Sequence, residues 1–341
     1  MKPRVFLCFV MPSLALMAIF IAFPLVSVFL QSFQNTQTLF HETRTESCTP
    51  GFPNPVCVTE AKQVPELDLN GLPRTSSVFV GLDNYRALLR SGEVAAALAP
   101  GGAGLSILDG IDFYRALRFT LMFTLVTLPL VLGVGLALAL ALNGVTRAVR
   151  GPVIFVSLLP FVITPVIGAL SVRWLFAGDG ILTAALGHLL GRPLSPLSHQ
   201  WSLELLMVLF KVWHTSPFAF LIFYAGLQGL NHDTMDAATV DGASRFERLR
   251  AVVLPHLGPL IVFVALIHLM DSYRVFDEVV GFSSQAHVIS LQWLTFNLLT
   301  PDSGGNRAIG RASASSMLTM VGIVILLVPL VMRTWREHRR G

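Results

Sequence analysis

The 341-residue sequence predicts an all-α, polytopic membrane protein with six transmembrane helices. Composition leads there first: 53% of residues are hydrophobic and only 13% are charged, against roughly 25% charged in ordinary soluble domains. So little charge leaves the surface of a soluble chain this long uncovered, and a chain this rich in aliphatic and aromatic side chains is not disordered. The apolar runs are the second observation. About 20 residues cross a bilayer core as a helix, and six segments reach that length. They are continuous rather than alternating segments of about ten residues, which excludes a transmembrane β-barrel.

The first run, Val5–Leu30, follows Lys2 and Arg4 as an export signal would. It is too long for one, and no small-residue cleavage site follows, so it reads as a retained helix. Ala116–Leu142, Val153–Phe176, Leu203–Leu227, Pro259–Phe282 and Ala312–Met332 are the other five. Pro24, Pro129, Pro160 and Pro165 predict bends in spans one to three. Gly133, Ala137 and Ala141 recur at every fourth position of span two, a spacing that lets helices approach closely, against either a sister subunit or an internal neighbour.

Basic residues set the orientation. With the N-terminus inside, the short pieces 1–4, 143–152, 228–258 and 333–341 hold eleven of the 24 Lys and Arg residues. The much longer pieces on the other side, 31–115, 177–202 and 283–311, hold nine, and 31–115 also carries nine acidic residues. Both termini therefore lie on the cytoplasmic side. The formal charge of +4 comes from arginines spaced between apolar runs, which act as topology signals and not as a nucleic-acid surface. The chain divides into a first helix (1–32), an outer segment (33–115), a five-helix core (116–332) with a loop at 231–257, and a basic tail (333–341). Cys8 lies in the first span. Cys48 and Cys57 flank a Pro- and Gly-containing turn in the outer segment, either as a short disulfide loop or as two free thiols. The stretch 34–75 is either a contact surface for a solute-delivering protein or an unstructured loop, and FVGLDNYRALL after it is a short helix.

The connection between spans four and five, residues 231–255, is longer than a bundle needs. Asp233 or Thr234 is positioned to cap a helix. Met235, Ala238 and Thr239 then share one face, and Gly242 with Ala243 makes a corner open to close approach. A second amphipathic helix, Phe246 to Val253, is expected to stop before Pro255, because the residue preceding proline disfavours helix.

This loop resembles the EAA loop of ABC-importer membrane subunits, whose pattern is E-A-A, three residues, G, nine residues, I-x-L-P. Asp236, Ala237 and Ala238 take the EAA place, Gly242 has the expected offset, and Val252, Val253, Leu254 and Pro255 supply the ending. Asp236 is one methylene shorter than the usual Glu. The stretches AGLQGL, FPLVSVFLQSF, FVGLDNYRALL and YRVFDEVVGF extend the likeness to the carbohydrate-uptake branch, the relatives of the maltose and sn-glycerol-3-phosphate importer subunits.

The resemblance implies a type I importer fold in which Asp236, Ala237, Ala238, Asp241, Gly242, Ala243, Arg245, Phe246, Leu254 and Pro255 form the ATPase-docking loop. It implies a second, homologous permease subunit, two ATPase subunits and a periplasmic solute-binding protein, in a bacterial inner membrane. This chain has no G-x-x-x-x-G-K-S/T of its own. It is expected to be non-catalytic and to bind no cofactor or metal, ATP and Mg being used by the partners.

Ionisable groups inside spans are costly and mark candidate solute paths. Span five offers Asp271, Tyr273, Arg274 and Asp277, with an Asp271–Arg274 pair sterically allowed at that spacing. Span four offers Lys211, Trp213 and His214 before Pro217, an aromatic and polar mixture suited to sugars, although Trp213 as an interfacial anchor and Lys211 snorkelling outward fit equally. Arg173, Lys211 and Arg274 together suggest an anionic group on the solute, such as a sulfonated or phosphorylated sugar or glycerol derivative. The other readings are a non-sugar importer (peptide or polyamine) and an ion-coupled secondary transporter. The latter would show internal repeats and leave the docking loop unexplained.

Overall fold

The computed structural model describes residues 3–49, 56–68, 74–98, 106–178, 180–191, 195–302 and 306–338. The chain forms two compact units, Met1–Phe113 with Leu294–Met320, and Tyr114–Trp293 with Val321–Gly341.

In the N-terminal unit, helix α1 (Pro3–Met17) runs through a π turn (Ala18–Ala22) into α2 (Phe23–Gln31). Pro24 falls in the first turn of α2, where its missing N–H is tolerated. This apolar helix is exposed along its described length, Phe20 and Phe23 being over 70% exposed, as a lipid- or partner-facing span must be. The segment after it departs from the all-α expectation. Strand β1 (Gln34–Thr38) pairs antiparallel with β4 (Thr75–Phe79), and β2 (Phe40–Thr49) with β3 (Val56–Pro65). These strands are rich in Thr and Val, whose β-branched side chains favour extended backbone, and they lack the apolar alternation by which strands announce themselves. Cys48 stands directly opposite Cys57 in the β2–β3 register. Their side chains, like that of Cys8, lie outside the described residues.

Helices α3 (Asp83–Leu89), α4 (Ser91–Leu98) and α5 (Ser106–Asp109) complete the outer segment. The buried Asn84 amide donates to the carbonyls of Ser32 and Gln34 at 2.9 and 3.0 Å, pinning α3 to the end of α2 and the start of β1. Gly310, in the first turn of α16 (Ile309–His338), packs so tightly here that a Cβ would overlap the Gln34 carbonyl oxygen and stand 2.6 Å from Asn84 Nδ2. Residues 34–37 and 297–311, assigned to the same side by the basic-residue pattern, thus belong to one unit.

The second unit is built on α6 (Asp112–Asn143) and α10 (Gln200–Gln228). Gly135 allows them to touch, since a Cβ there would be 2.6 Å from that of Ala219. Gly133, by contrast, has open space beside it, and Ala137 and Ala141 share its exposed face. Pro129 does not interrupt α6. The third predicted span is not one bent helix but two: α7 (Arg147–Val162) and α8 (Pro165–Phe176) meet at 92°. Ile163 and Thr164 are extended, because Pro165 forces the residue before it out of helical conformation.

Helix α9 (Ile181–Leu190) is short and apolar. α11 (His232–Val240) and α12 (Arg245–Arg248) make the loop after α10. α13 (Leu254–Tyr273) ends nine residues short of the predicted Phe282, and α14 (Asp277–Gly281) is a separate helix. α14 seats on α8 through Gly281, where a Cβ would be 2.6 Å from that of Ala169. α15 (Leu291–Leu299) precedes α16. Among the described residues, five helices are long and apolar enough to span a membrane, and the bent α7–α8 pair makes a sixth crossing by length and composition.

Candidate coupling loop and solute cavity

The loop is held by local chemistry. Asn231, and not Asp233 or Thr234, caps α11: its side chain accepts from the Asp233 N–H at 2.9 Å, leaving the Asp233 and Thr234 side chains inside the first turn. At the other end Gly242 takes φ +79°. The Ala243 N–H reaches the Ala238 carbonyl at 3.0 Å and the Gly242 N–H that of Thr239 at 3.1 Å. This is a Schellman termination, which needs a left-handed residue at the position of Gly242.

Ser244 then opens α12 with a reciprocal capping box. The Glu247 N–H donates to Ser244 Oγ at 3.3 Å, and the Ser244 N–H to Glu247 Oε2 at 2.6 Å. Arg248 Nη1 donates to Thr239 Oγ1 at 2.8 Å and ties the two helices together.

The expected stop before Pro255 is absent. A π turn, Leu249–Val253, carries α12 directly into α13, so the second loop helix and span five are one continuous helix. The wider turn makes room for the proline ring and its missing N–H. Met235 and Leu249 pack against the cluster of Leu142, Leu227, Val253 and Leu257. Asp236, Ala237, Asp241, Gly242, Arg245 and Phe246 remain exposed, with Ala238, Ala243 and Leu254 half-buried and Pro255 exposed. Val240 at 88% and Phe246 at 69% exposure are apolar groups that nothing among the described residues covers. Nearby, Arg150 donates to the carbonyls of Val145 and Asn143 at 2.8 and 3.2 Å, capping the end of α6. The Gln228 amide reaches Asn143 at 3.4 Å, so the two arginine-bearing connections 143–152 and 228–258 lie together.

A cavity of about 460 Å³ opens in the same unit, lined by Phe161–Pro165, His214, Phe218, His268 and the charged residues Lys211, Asp271, Arg274, Asp277 and Glu278. Lys211 is 4% exposed. Its Nζ donates to Asp271 Oδ2 at 2.7 Å and to Glu278 Oε1 at 2.9 Å. The His214 Nε2–H donates to the Ile163 carbonyl at 2.8 Å, using a backbone acceptor released by the α7–α8 break. Irregular backbone at membrane depth is tolerated where it lines such a cavity.

The sequence placed Lys211, His214, Asp271, Arg274 and Asp277 here, and the fold brings them together. Trp213 and Tyr273 do not join them. Trp213 points away, half exposed, beside Phe210, and Tyr273 is buried against Gly322. The partner of Asp271 is Lys211, not Arg274. His268 and Phe218 went unread as site residues, and Glu278, the last of the ionisable run that closes span five, is the second partner of Lys211. Of the three cations behind the anionic-solute reading, Lys211 is held by two carboxylates, Arg173 donates to Ser283 at 2.9 Å, and Arg274 lines the cavity with Asp271, Asp277 and Glu278.

Residues 112–339 match the family described as the inner membrane component of binding-protein-dependent transport systems. The trehalose/maltose transport permease MalF of Thermococcus litoralis is 30% identical over 265 residues, covering 76% of this chain and 81% of that one. The sn-glycerol-3-phosphate transport permease UgpA of Agrobacterium fabrum is 26% identical over 258 residues, covering 74% and 79%. A crystal structure of a bacterial ABC transporter for the acidic polysaccharide alginate shares the fold, with TM-score 0.68 at 18% identity over 98% of this chain and 96% of that one. A multi-pass membrane protein with an exposed, doubly capped loop after its fourth span, this chain belongs to the family of inner membrane components of binding-protein-dependent transport systems.

Proposed function

We propose that this chain is one of two homologous permease subunits of an ATP-binding-cassette importer that takes up a sugar or sugar derivative delivered by a periplasmic binding protein. The carrying observation is the loop at 231–255, a rigid projection whose exposed Asp236, Ala237, Val240 and Phe246 offer an acidic and an apolar grip to an ATPase subunit. Two such ATPase subunits hydrolyse ATP with Mg, and this chain holds neither. Both termini lie in the cytoplasm of a bacterial cell. The convergence of connections 143–152 and 228–258 on one end of the unit supports this sidedness. The open stripe of Gly133, Ala137 and Ala141 suits the sister permease.

Lys211, His214, Asp271, Arg274 and Asp277 line the solute path, with Glu278 and His268. Amide-free but rich in fixed charge pairs, imidazoles and the rings of Phe161 and Phe218, the cavity presents donors and acceptors for hydroxyls and apolar faces for a sugar ring. The trehalose/maltose and glycerol-phosphate relatives support a carbohydrate cargo.

Co-purification with the ATPase and sister permease encoded beside this chain is the test. The wild type is expected to bring down the ATPase, and Asp236→Arg to lose it while the two permeases remain associated. A chain that purifies without any ATPase and still moves solute down an ion gradient overturns the reading.

A further inference from the structure

The charges of the solute cavity do not balance once its internal pairs are drawn. Three carboxylates, Asp271, Asp277 and Glu278, stand against two cations, Lys211 and Arg274. Lys211 is spent on Asp271 and Glu278. Asp277 is half-buried and makes no hydrogen bond or ion pair among the described residues. Helix ends do not tip the count. α7 and α13 end at the cavity while α8 and α14 begin there, so their partial charges cancel in pairs.

The two imidazoles do not supply the missing cation. His214 needs only its Nε2 proton to reach the Ile163 carbonyl. Beside His268, which is 1% exposed, the Thr127 hydroxyl already donates to the Phe123 carbonyl at 2.8 Å. Thr127 Oγ1 therefore accepts from the His268 Nε2–H at 3.0 Å, with Ser272 Oγ at the same distance. His268 Nδ1 is left buried and without a partner among the described residues. A proton there would be an unpaired buried charge, so the ring is neutral and Nδ1 is a bare acceptor.

We propose that the solute is a cationic sugar, an amino sugar whose ammonium is received by Asp277. The inference rests on the importer reading and names the cargo of the same cavity. Alternating access encloses the solute away from water, and uncompensated charge at membrane depth is costly. A neutral sugar would leave the closed cavity with one negative charge in excess. A uronate or a phosphorylated sugar would add to that excess, whereas a single ammonium cancels it. The bare Nδ1 of His268 calls for the same kind of ligand, one with donor hydrogens to give. Phe161 and Phe218, stacked at 5.9 Å, add ring faces that attract a cation.

The experiment uses the assembled transporter in lipid nanodiscs without its binding protein, so that the cavity itself is read. Glucose, glucosamine, glucose aminated at its terminal carbon, and glucuronate share one ring and differ in charge. The affinity of each at neutral pH is taken from its stabilisation of the transporter against heat. At least one amine is expected to bind about tenfold more tightly than glucose, and glucuronate about tenfold more weakly. Asp277→Asn is expected to lower the amine-to-glucose ratio about tenfold, and Asp277→Glu to keep it. A ratio is unmoved by a general loss of folded protein, and size-exclusion chromatography reports whether each variant is assembled. Amines that bind no better than glucose, or an amine preference untouched by Asp277→Asn, overturn the proposal. An ATPase that still co-purifies in that case leaves the importer reading standing.

Discussion

Lys211→Met is expected to be the most damaging single substitution in the chain. Removing the ammonium leaves Glu278, 2% exposed, and Asp271 facing each other without a counter-charge. Breaking a buried pair from one side costs about 3–5 kcal/mol, because the remaining charge stays buried and uncompensated. The cost falls mainly on Glu278, because the Asp271 side chain is 55% exposed and screened by solvent. Stability in detergent, followed by thermal unfolding, should drop sharply, and solute uptake should vanish with it. Lys211→Met combined with Asp271→Asn and Glu278→Gln should regain most of the stability, because the deficit lies in the stranded charges and not in the lost attraction. A triple variant no more stable than Lys211→Met rules out this account. The triad also joins α10 to α13 and α14, so its loss leaves α14 held to α10 by apolar packing of Phe210 with Val279 and Phe282, and to α8 through Gly281.

The second large effect falls on coupling. Gly242→Val places a β-branched side chain at φ +79°, where an L-residue pays about 1–2 kcal/mol for the left-handed conformation. The Schellman bonds from Ala243 and Gly242 to Ala238 and Thr239 depend on that conformation, and they set the angle between α11 and α12. Solute-stimulated ATP hydrolysis by the assembled transporter is expected to fall about tenfold or more, whereas melting of the membrane core should shift by only a few degrees. Gly242→Asn, which adopts the left-handed region more readily, should recover a large share of the activity. Loss of hydrolysis to the same extent in both variants would mean that side-chain bulk against the ATPase, and not backbone conformation, is what matters.

What could be read from the residues follows from how local each signal is. Continuous apolar runs and the placement of arginine are local, and they located the spans and the loop between α10 and α13. The loop pattern was legible because a glycine at a fixed offset from two alanines is a sequence pattern before it is a structure. The cavity residues were half legible. Lys211, His214 and Thr215, which also lines the cavity, lie three and four apart and share a helix face, whereas Trp213 is two positions from Lys211 and faces elsewhere. The same spacing sets Asp271 with Arg274 and excludes Tyr273. Glu278 stands in the same run of ionisable residues as Asp271, Arg274 and Asp277, but its pairing with Lys211 was not legible, since α13 ends at Tyr273 and α14 is a separate helix seated on α8. The α7–α8 break was underestimated for a similar reason. A proline alone announces a bend, and a bend of 92° also needs the Phe161–Pro165 backbone to find a polar cavity and a histidine donor. The strands of the outer segment carry Thr and Gln where alternating apolar residues would have revealed them.

The π turn at Leu249–Val253 has a consequence for phase. It houses one residue more than an α-helical turn, and one residue is worth about 100° of rotation around the helix axis. Everything before it, including Phe246 and the pivot at Gly242, is therefore set about 100° away from where an uninterrupted helix continuing from span five would put it. Straightening the turn into regular α-helix without removing a residue would swing the exposed face of the loop through more than a quarter of a circle, whereas deleting Ala251 would remove the extra residue and let an ordinary α-helical turn close with that face where it is. A chain lacking Ala251 should therefore keep Phe246 and Gly242 on their present side. The azimuth of the loop is encoded not in the motif but in the residue count and the turn that absorbs it.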